Sequence, residues 1–62
     1  MYIVILDFYS GTVFIRPIPK HMIKEEWDDI EIADSFENKL KIHISDCQWM
    51  IMPKVKLNIK KK

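Results

Sequence analysis

Residues 2–16 constrain the fold of this chain more than any other stretch. β-Branched and aromatic residues dominate two runs on either side of Ser10 and Gly11. Such residues suit the pleated surface of a sheet. Gly11, the only glycine in the chain, can adopt the positive φ that a tight turn requires. The sequence therefore predicts a β-hairpin with a two-residue turn at Ser10 and Gly11.

A turn of this length assigns every side chain of the hairpin to one of two faces. It pairs Leu6 with Ile15 and Phe8 with Val13. One face is then entirely apolar or aromatic, and it carries Tyr2, Val4, Leu6, Phe8, Val13 and Ile15. The other is mixed, and it carries Ile3, Ile5, Asp7, Tyr9, Thr12, Phe14 and Arg16. We expect the first face to be the core face, although a bulge at the glycine would exchange the faces of one arm.

The chain is long enough for one small domain, residues 1–62. A domain of this size hides only about 60% of its unfolded surface. Cys47 is the only cysteine, so no disulfide can form within the chain, and a lone thiol favours a reducing compartment. Stability must come from efficient packing or from burial against another copy of the chain. The second route is favoured.

No targeting signal or membrane span is recognisable in the sequence. The apolar run over residues 2–6 is too short for either and follows no basic residue. We therefore expect a soluble, cytoplasmic protein with no membrane partner.

Charge is distributed unevenly along the chain, although the net charge is only +1. Residues 25–37 hold seven carboxylates and no basic side chain, whereas residues 39–62 hold seven lysines against one aspartate. The chain is therefore a dipole rather than a polycation, which argues against bulk electrostatic capture of nucleic acid.

A helix is predicted between residues 22 and 39. The stripe that indicates it recurs at helical spacing and consists of Ile23, Trp27, Ile30, Ala33, Phe36 and Leu40. A break near residues 33–35 is an alternative, because Asp34 and Ser35 can form a turn or cap a second helix.

The last third of the sequence predicts two or three strands. Alternation indicates strands over residues 40–44, 47–52 and 55–59, with 47–52 apolar on both sides and therefore interior. Residues 60–62 form a frayed basic tail. The predicted fold is α+β: an N-terminal β-hairpin, one helix, then two or three antiparallel strands, with the helix packed on one face of the sheet.

No residue pattern predicts catalysis, a cofactor or a metal site. Cys47 follows Asp46, which would raise its pKa, and a small buried hydrophobe is the favoured interpretation. His21, His43 and Cys47 match no zinc-ligand spacing. The serines lack an activating motif, and the acidic pairs suit a solvated helix face. We therefore expect a non-enzymatic protein.

Two interpretations remain open for the basic and aromatic side chains outside the predicted core face. A lysine-lined sheet surface with stacking platforms would bind nucleic acid, whereas lysines on an edge strand simply discourage aggregation. The second is favoured. The candidate interaction surface consists of Tyr9, Phe14, Arg16, Lys41, His43, Lys54 and Lys56.

A contact patch is the most specific functional hypothesis. Trp27, Trp49 and residues 50–52 are rich in large apolar side chains, and together with Phe14 they would form such a patch if one sheet face is uncovered. We expect a homodimer or other homo-oligomer, or a complex with another protein, formed through an exposed sheet face or an edge strand.

The box Asp46-Cys47-Gln48-Trp49-Met50-Ile51 is similar to one found in a group of very short, uncharacterised bacterial proteins. The resemblance covers about the last third of the chain and its general plan. It implies a small accessory protein and carries no known activity. Pro53 and the lysine-rich end do not match it.

Overall fold

The structure is a computed structural model that describes residues 1–60, and it is an α+β fold. The elements in chain order are strand β1 (Tyr2–Asp7), strand β2 (Thr12–Pro17), helix α1 (Lys20–Lys24), helix α2 (Asp29–Leu40), a 3₁₀ turn (Ile44–Asp46) and strand β3 (Cys47–Met52). A three-stranded antiparallel sheet and one main helix confirm the predicted class. Of the predicted basic tail, Lys60 has no regular structure, and Lys61 and Lys62 lie outside the described residues.

The sheet has the strand order β2-β1-β3, with both neighbours of β1 antiparallel to it. β1 is therefore the central strand, which suits its run of β-branched and apolar residues. The strand predicted over residues 47–52 is confirmed, but its expected interior position is wrong because β3 lies at an edge.

The hairpin turn is longer than predicted. Leu6 pairs with Val13 and Asp7 with Thr12, so the loop contains four residues, 8–11, rather than two. The side chain of Asp7 organises this loop: Oδ1 accepts a hydrogen bond from the Tyr9 backbone N–H at 3.0 Å, and Oδ2 accepts one from Ser10 Oγ at 2.8 Å. Gly11 closes it with φ 71°, the positive value expected of it. The observed register differs from the predicted one by two residues. Because this number is even, the side chains of each strand stay on the same face as in the prediction.

The face predicted to be the core is the exposed one. Ile3 and Ile5 are fully buried, whereas Leu6 and Val13 are 38% and 56% exposed. The expectation of a core face made of Tyr2, Val4, Leu6, Phe8, Val13 and Ile15 is therefore wrong. Phe8 lies in the loop, and none of these six side chains is buried.

Two charged residues make the true core face look mixed in the sequence. The Asp7 carboxylate is only 9% exposed, yet the loop supplies its hydrogen-bond donors. Arg16 is exposed near the end of β2, with its guanidinium carbon 5.6 Å from the centroid of the Phe14 ring. Neither residue places an unpaired charge in the core.

A capping box divides the predicted helix. Asp28 Oδ1 accepts a hydrogen bond from the Glu31 backbone N–H at 3.1 Å, and Glu31 Oε1 accepts one from the Asp28 N–H at 3.4 Å. The chain leaves α1 through Glu26, which has φ 56°. The break therefore precedes Asp28, and the alternative break near residues 33–35 is wrong because Asp34 and Ser35 lie inside α2.

The break changes which helical residues are buried. The hydrophobic core is one cluster of Ile3, Ile5, Ile18, Met22, Ile32, Ala33 and Phe36. Ala33 and Phe36 belong to the predicted stripe, and Trp27 and Leu40 are partly buried beside the cluster. Ile23 and Ile30 are 46% and 67% exposed, because a single helical phase does not run across two separate helices.

The strands predicted over residues 40–44 and 55–59 are absent. Helix α2 runs to Leu40 and ends at Lys41, whose left-handed φ of 54° turns the chain towards the 3₁₀ turn. Residues 55–60 have no regular structure. The sheet consequently has three strands in the described residues.

Candidate interaction surface

The side of the sheet opposite Ile3 and Ile5 forms a surface that we call the outer face. Side chains directly opposite one another on paired strands share a face, so the two registers define its members. They are Tyr2, Val4, Leu6, Val13, Ile15, Pro17, Gln48, Met50 and Met52. None is charged, and only Gln48 is polar.

The outer face is accessible in the isolated chain. Val13 and Met50, on the two edge strands, are 56% and 57% exposed, and Tyr2 on the central strand is 39% exposed. A shallow cleft of about 230 Å³ lies in this face and is lined by Val4, Leu6, Gln48, Trp49 and Met50. Large apolar side chains in one contiguous patch are typical of association sites on soluble proteins.

The predicted contact patch is divided between the two sides of the sheet. Met50 lies on the outer face, as that hypothesis requires. Phe14, Trp49 and Ile51 are partly buried and pack against the core cluster, and Trp27 does so from the segment between the helices. The exposed apolar patch therefore consists of outer-face residues, most of which belong to the face that was predicted to be the core.

Three of the predicted interaction residues come together at the hairpin loop. Tyr9, Lys41 and His43 line a polar cleft of about 390 Å³. The remaining lining residues are Asp7, Ile42 and Asp46. Tyr9 is 95% exposed at the tip of the loop. Acidic and basic groups are mixed in this cleft, so it does not present a basic surface to a phosphate backbone.

The other four predicted residues lie elsewhere. Phe14 packs against the core with Arg16 beside it. Lys54 and Lys56 are exposed in the segment that follows β3. The three described strands contain no lysine, so the expectation of a lysine-lined sheet surface is wrong. Nucleic-acid binding itself stays a prediction.

The Cys47 thiol is held at the start of β3 by the 3₁₀ turn before it. Its Sγ donates a hydrogen bond to the His43 carbonyl oxygen at 3.3 Å. Desolvation raises the pKa of Cys47 above its ordinary value of 9.0, and the carboxylates of Asp7, Asp46 and Glu37 raise it further. The predicted direction of this effect from Asp46 is confirmed, whereas the prediction of a small buried hydrophobe is wrong because Cys47 is only partly buried.

The described residues offer neither a metal-binding cluster nor a membrane-spanning helix. Within residues 1–60, His, Cys, Asp and Glu side chains form no group of three or more suited to holding a metal ion. Neither of the two helices in this part of the chain has the length and apolar character needed to cross a bilayer.

Comparisons with known protein families, curated proteins and solved structures found no match to this chain. The similarity of the box at residues 46–51 to short bacterial proteins therefore stays a prediction. Its residues from Cys47 onward lie on β3, where Gln48 and Met50 belong to the outer face.

Proposed function

We propose that this chain is a small, non-enzymatic interaction protein that forms a homodimer through its outer face. The observation that carries the proposal is the composition of that face, which has eight apolar residues, one glutamine and no charge. A partner must supply an apolar surface of similar shape, because it would otherwise leave desolvated polar groups unpaired. A second copy supplies one by symmetry.

The proposal takes the helices to cover only the opposite side of the sheet. Support comes from the core cluster, in which Ile3 and Ile5 of β1 join Met22 of α1 and Phe36 of α2. One face of the sheet is then covered within the chain and the other is left uncovered. Two pleated sheets stack about 10 Å apart when apolar faces meet, and such stacking would bury the exposed Leu6, Val13 and Met50 side chains.

Chain length also supports self-association. Among the described residues, only seven hydrophobic side chains form the buried core, and a core of this size leaves a chain of 62 residues close to the balance with conformational entropy. Burial of the outer face against a second copy adds apolar area without lengthening the chain.

The test is the concentration dependence of the molar mass, measured by sedimentation equilibrium or light scattering. We expect the wild-type chain to have twice its monomer mass at micromolar concentration. Val13→Lys places a charge in the outer face and should give a monomer. Phe14 is unsuitable for this substitution because it packs against the core.

Ile30→Lys is the matched control. Ile30 is 67% exposed on α2 and is not part of the outer face, so its replacement removes a similar apolar side chain and should leave the dimer intact. Circular dichroism verifies that both variants fold. A wild-type chain that stays monomeric at all concentrations contradicts self-association, and equal dimerisation of the two variants contradicts the role of the outer face.

A further inference from the structure

Residues 54–60 have the pattern of a strand but no sheet to join. Val55, Leu57 and Ile59 alternate with Lys54, Lys56, Asn58 and Lys60. Leu57 and Ile59 are 67% and 79% exposed. Within residues 1–60, no hydrogen bond links the backbone of this segment to the rest of the chain. Its peptide groups and the side chains of Leu57 and Ile59 are therefore available to a partner.

The sheet has two open edges, and they differ in how well they are protected. The β2 edge carries Arg16 and ends at Pro17, and charges and prolines discourage strand addition. The β3 edge runs from Cys47 to Met52 and contains neither a charged residue nor a proline. It is the edge on which an additional strand meets the least opposition.

The segment cannot reach this edge in its own chain by a tight hairpin. Only Pro53 and Lys54 separate β3 from residue 55, and a two-residue hairpin turn of the favoured types requires a positive φ at its first position. The proline ring holds φ near −65°. A neighbouring chain is free of this restriction.

We infer that residues 55–60 of one copy add as a fourth strand to the β3 edge of a second copy. This inference rests on the proposed self-association and specifies how the dimer is completed. The six residues of the segment equal the six of β3 in number. Strand addition of this kind derives its affinity from main-chain hydrogen bonds.

The course of the segment agrees with this exchange. Lys54, Val55 and Leu57 line a cleft with Tyr2 and Ile15, both of which belong to the outer face. The segment thus departs on the side where the second copy would sit. Pro53 and Lys54 link Met52 to Val55, and these three residue steps reach about 10 Å when extended, which equals the separation of about 10 Å between stacked sheets.

Area and charge favour the exchange as well. Three strands about 4.8 Å apart and about 20 Å long outline only about 300 Å², against about 800 Å² per partner in a standard interface. Val55, Leu57 and Ile59 would enlarge the apolar contact. The lysines between them would approach Asp46 and Glu37, which lie near the Cys47 end of the edge, rather than Arg16 on β2.

The experiment compares proline with alanine at two consecutive positions of the full chain. Neighbouring residues of a strand direct their N–H groups to opposite sides, so Asn58→Pro and Ile59→Pro together test both. We expect at least one proline variant to raise the dimer dissociation constant tenfold or more relative to Asn58→Ala or Ile59→Ala. Backbone amides of residues 55–60 should also exchange more slowly with solvent deuterium as wild-type concentration rises.

The outcomes separate this inference from the proposed function. A dimer whose proline and alanine variants dissociate alike, with amides 55–60 unprotected at all concentrations, overturns strand exchange and leaves the outer face as the contact. A wild-type chain that remains monomeric overturns both. The segment forms no hydrogen bond with its own sheet, so the proline variants should keep the wild-type circular dichroism spectrum at concentrations where the chain is monomeric.

Discussion

Ile5 and Leu6 are consecutive on β1, yet Ile5 is fully buried whereas Leu6 is 38% exposed and faces Val13 across the hairpin. The two side chains point to opposite faces of the central strand. Ile5 belongs to the core cluster and Leu6 to the outer face. This relationship determines which of two apolar faces stabilises the monomer and which remains exposed.

Alanine substitutions at these two positions should have very different costs. Ile5→Ala removes fully buried atoms and should lower the free energy of unfolding by about 2–4 kcal/mol. Leu6→Ala should cost about 1 kcal/mol or less in the monomer. Urea denaturation at a concentration that keeps the chain monomeric measures both. Ile5→Val, expected to cost about 1 kcal/mol, provides a milder variant that stays folded. Equal costs at the two positions would contradict the assignment of the faces.

The hairpin loop should depend on the Asp7 side chain. Asp7→Ala removes the carboxylate that accepts hydrogen bonds from the Tyr9 N–H and the Ser10 hydroxyl. The loss of these two bonds should lower the free energy of unfolding by about 1–3 kcal/mol. Ser10→Ala removes only one of these bonds and should cost less. Thermal unfolding compares the variants. If the Asp7 variant is as stable as the wild-type chain, the four-residue loop does not depend on this carboxylate.

Asp28 should contribute to stability more than the other carboxylates of the acidic segment. Asp28→Ala removes the capping-box bond that Asp28 Oδ1 accepts from the Glu31 N–H and should cost about 1 kcal/mol. Asp34→Ala is the matched control, because Asp34 is exposed within α2 and forms no capping bond. Urea denaturation, followed by the helical signal in the far-ultraviolet circular dichroism spectrum, detects the difference. Equal stability of the two variants would refute the cap.

Cys47 should react slowly with alkylating reagents in the folded chain. Because its pKa is raised above 9.0, less thiolate is present near neutral pH than in the unfolded chain. The iodoacetamide rate, measured against pH with and without urea, should rise at higher pH in the folded chain. Asp46→Asn removes one of the responsible charges and should shift the profile towards lower pH, whereas Asp34→Asn should not.

The same pKa shift has a defined effect on stability. Well below pH 9.0 the thiol is protonated in both the folded and the unfolded chain, so its contribution to the free energy of unfolding is fully present. As the pH rises towards the folded pKa, the unfolded chain ionises first, and the free energy of unfolding falls. The difference in the free energy of unfolding between the wild-type chain and Cys47→Ala isolates the contribution of the thiol from that of the lysines and tyrosines. A difference that grows with pH would contradict the direction of the shift.

Local patterns predicted those elements whose signals lie within a few residues. The alternation in β1, β2 and β3 and the burial of Ala33 and Phe36 are all present in the structure. The break between α1 and α2 also has a local signal, the spacing of Asp28 and Glu31, which the analysis of the apolar stripe overlooked. Residues 40–44 and 55–59 alternate as strands do, but alternation alone does not provide a partner to pair with.

The candidate surface was harder to predict, because both faces of the hairpin are rich in apolar side chains. Asp7 looked incompatible with a core until the loop supplied its hydrogen-bond donors. Met50 and Met52 were recognised as part of a contact patch, but Trp49 and Ile51 face the core cluster instead. No periodicity reveals which face is buried, since that depends on where the chain goes after Pro17.

The order and spacing of residue types by themselves determined an α+β chain with an apolar hairpin, an acidic helix and a late apolar strand. They could do so because backbone preferences and side-chain periodicity act over short distances in the sequence. Only the tertiary structure decided that Ile3 and Ile5 face inward, that β1 is central and that the outer face is left without charge. These features depend on contacts between residues far apart in the chain, such as Ile5 with Phe14 and with Trp49, and the free energy of those contacts is set by the whole fold.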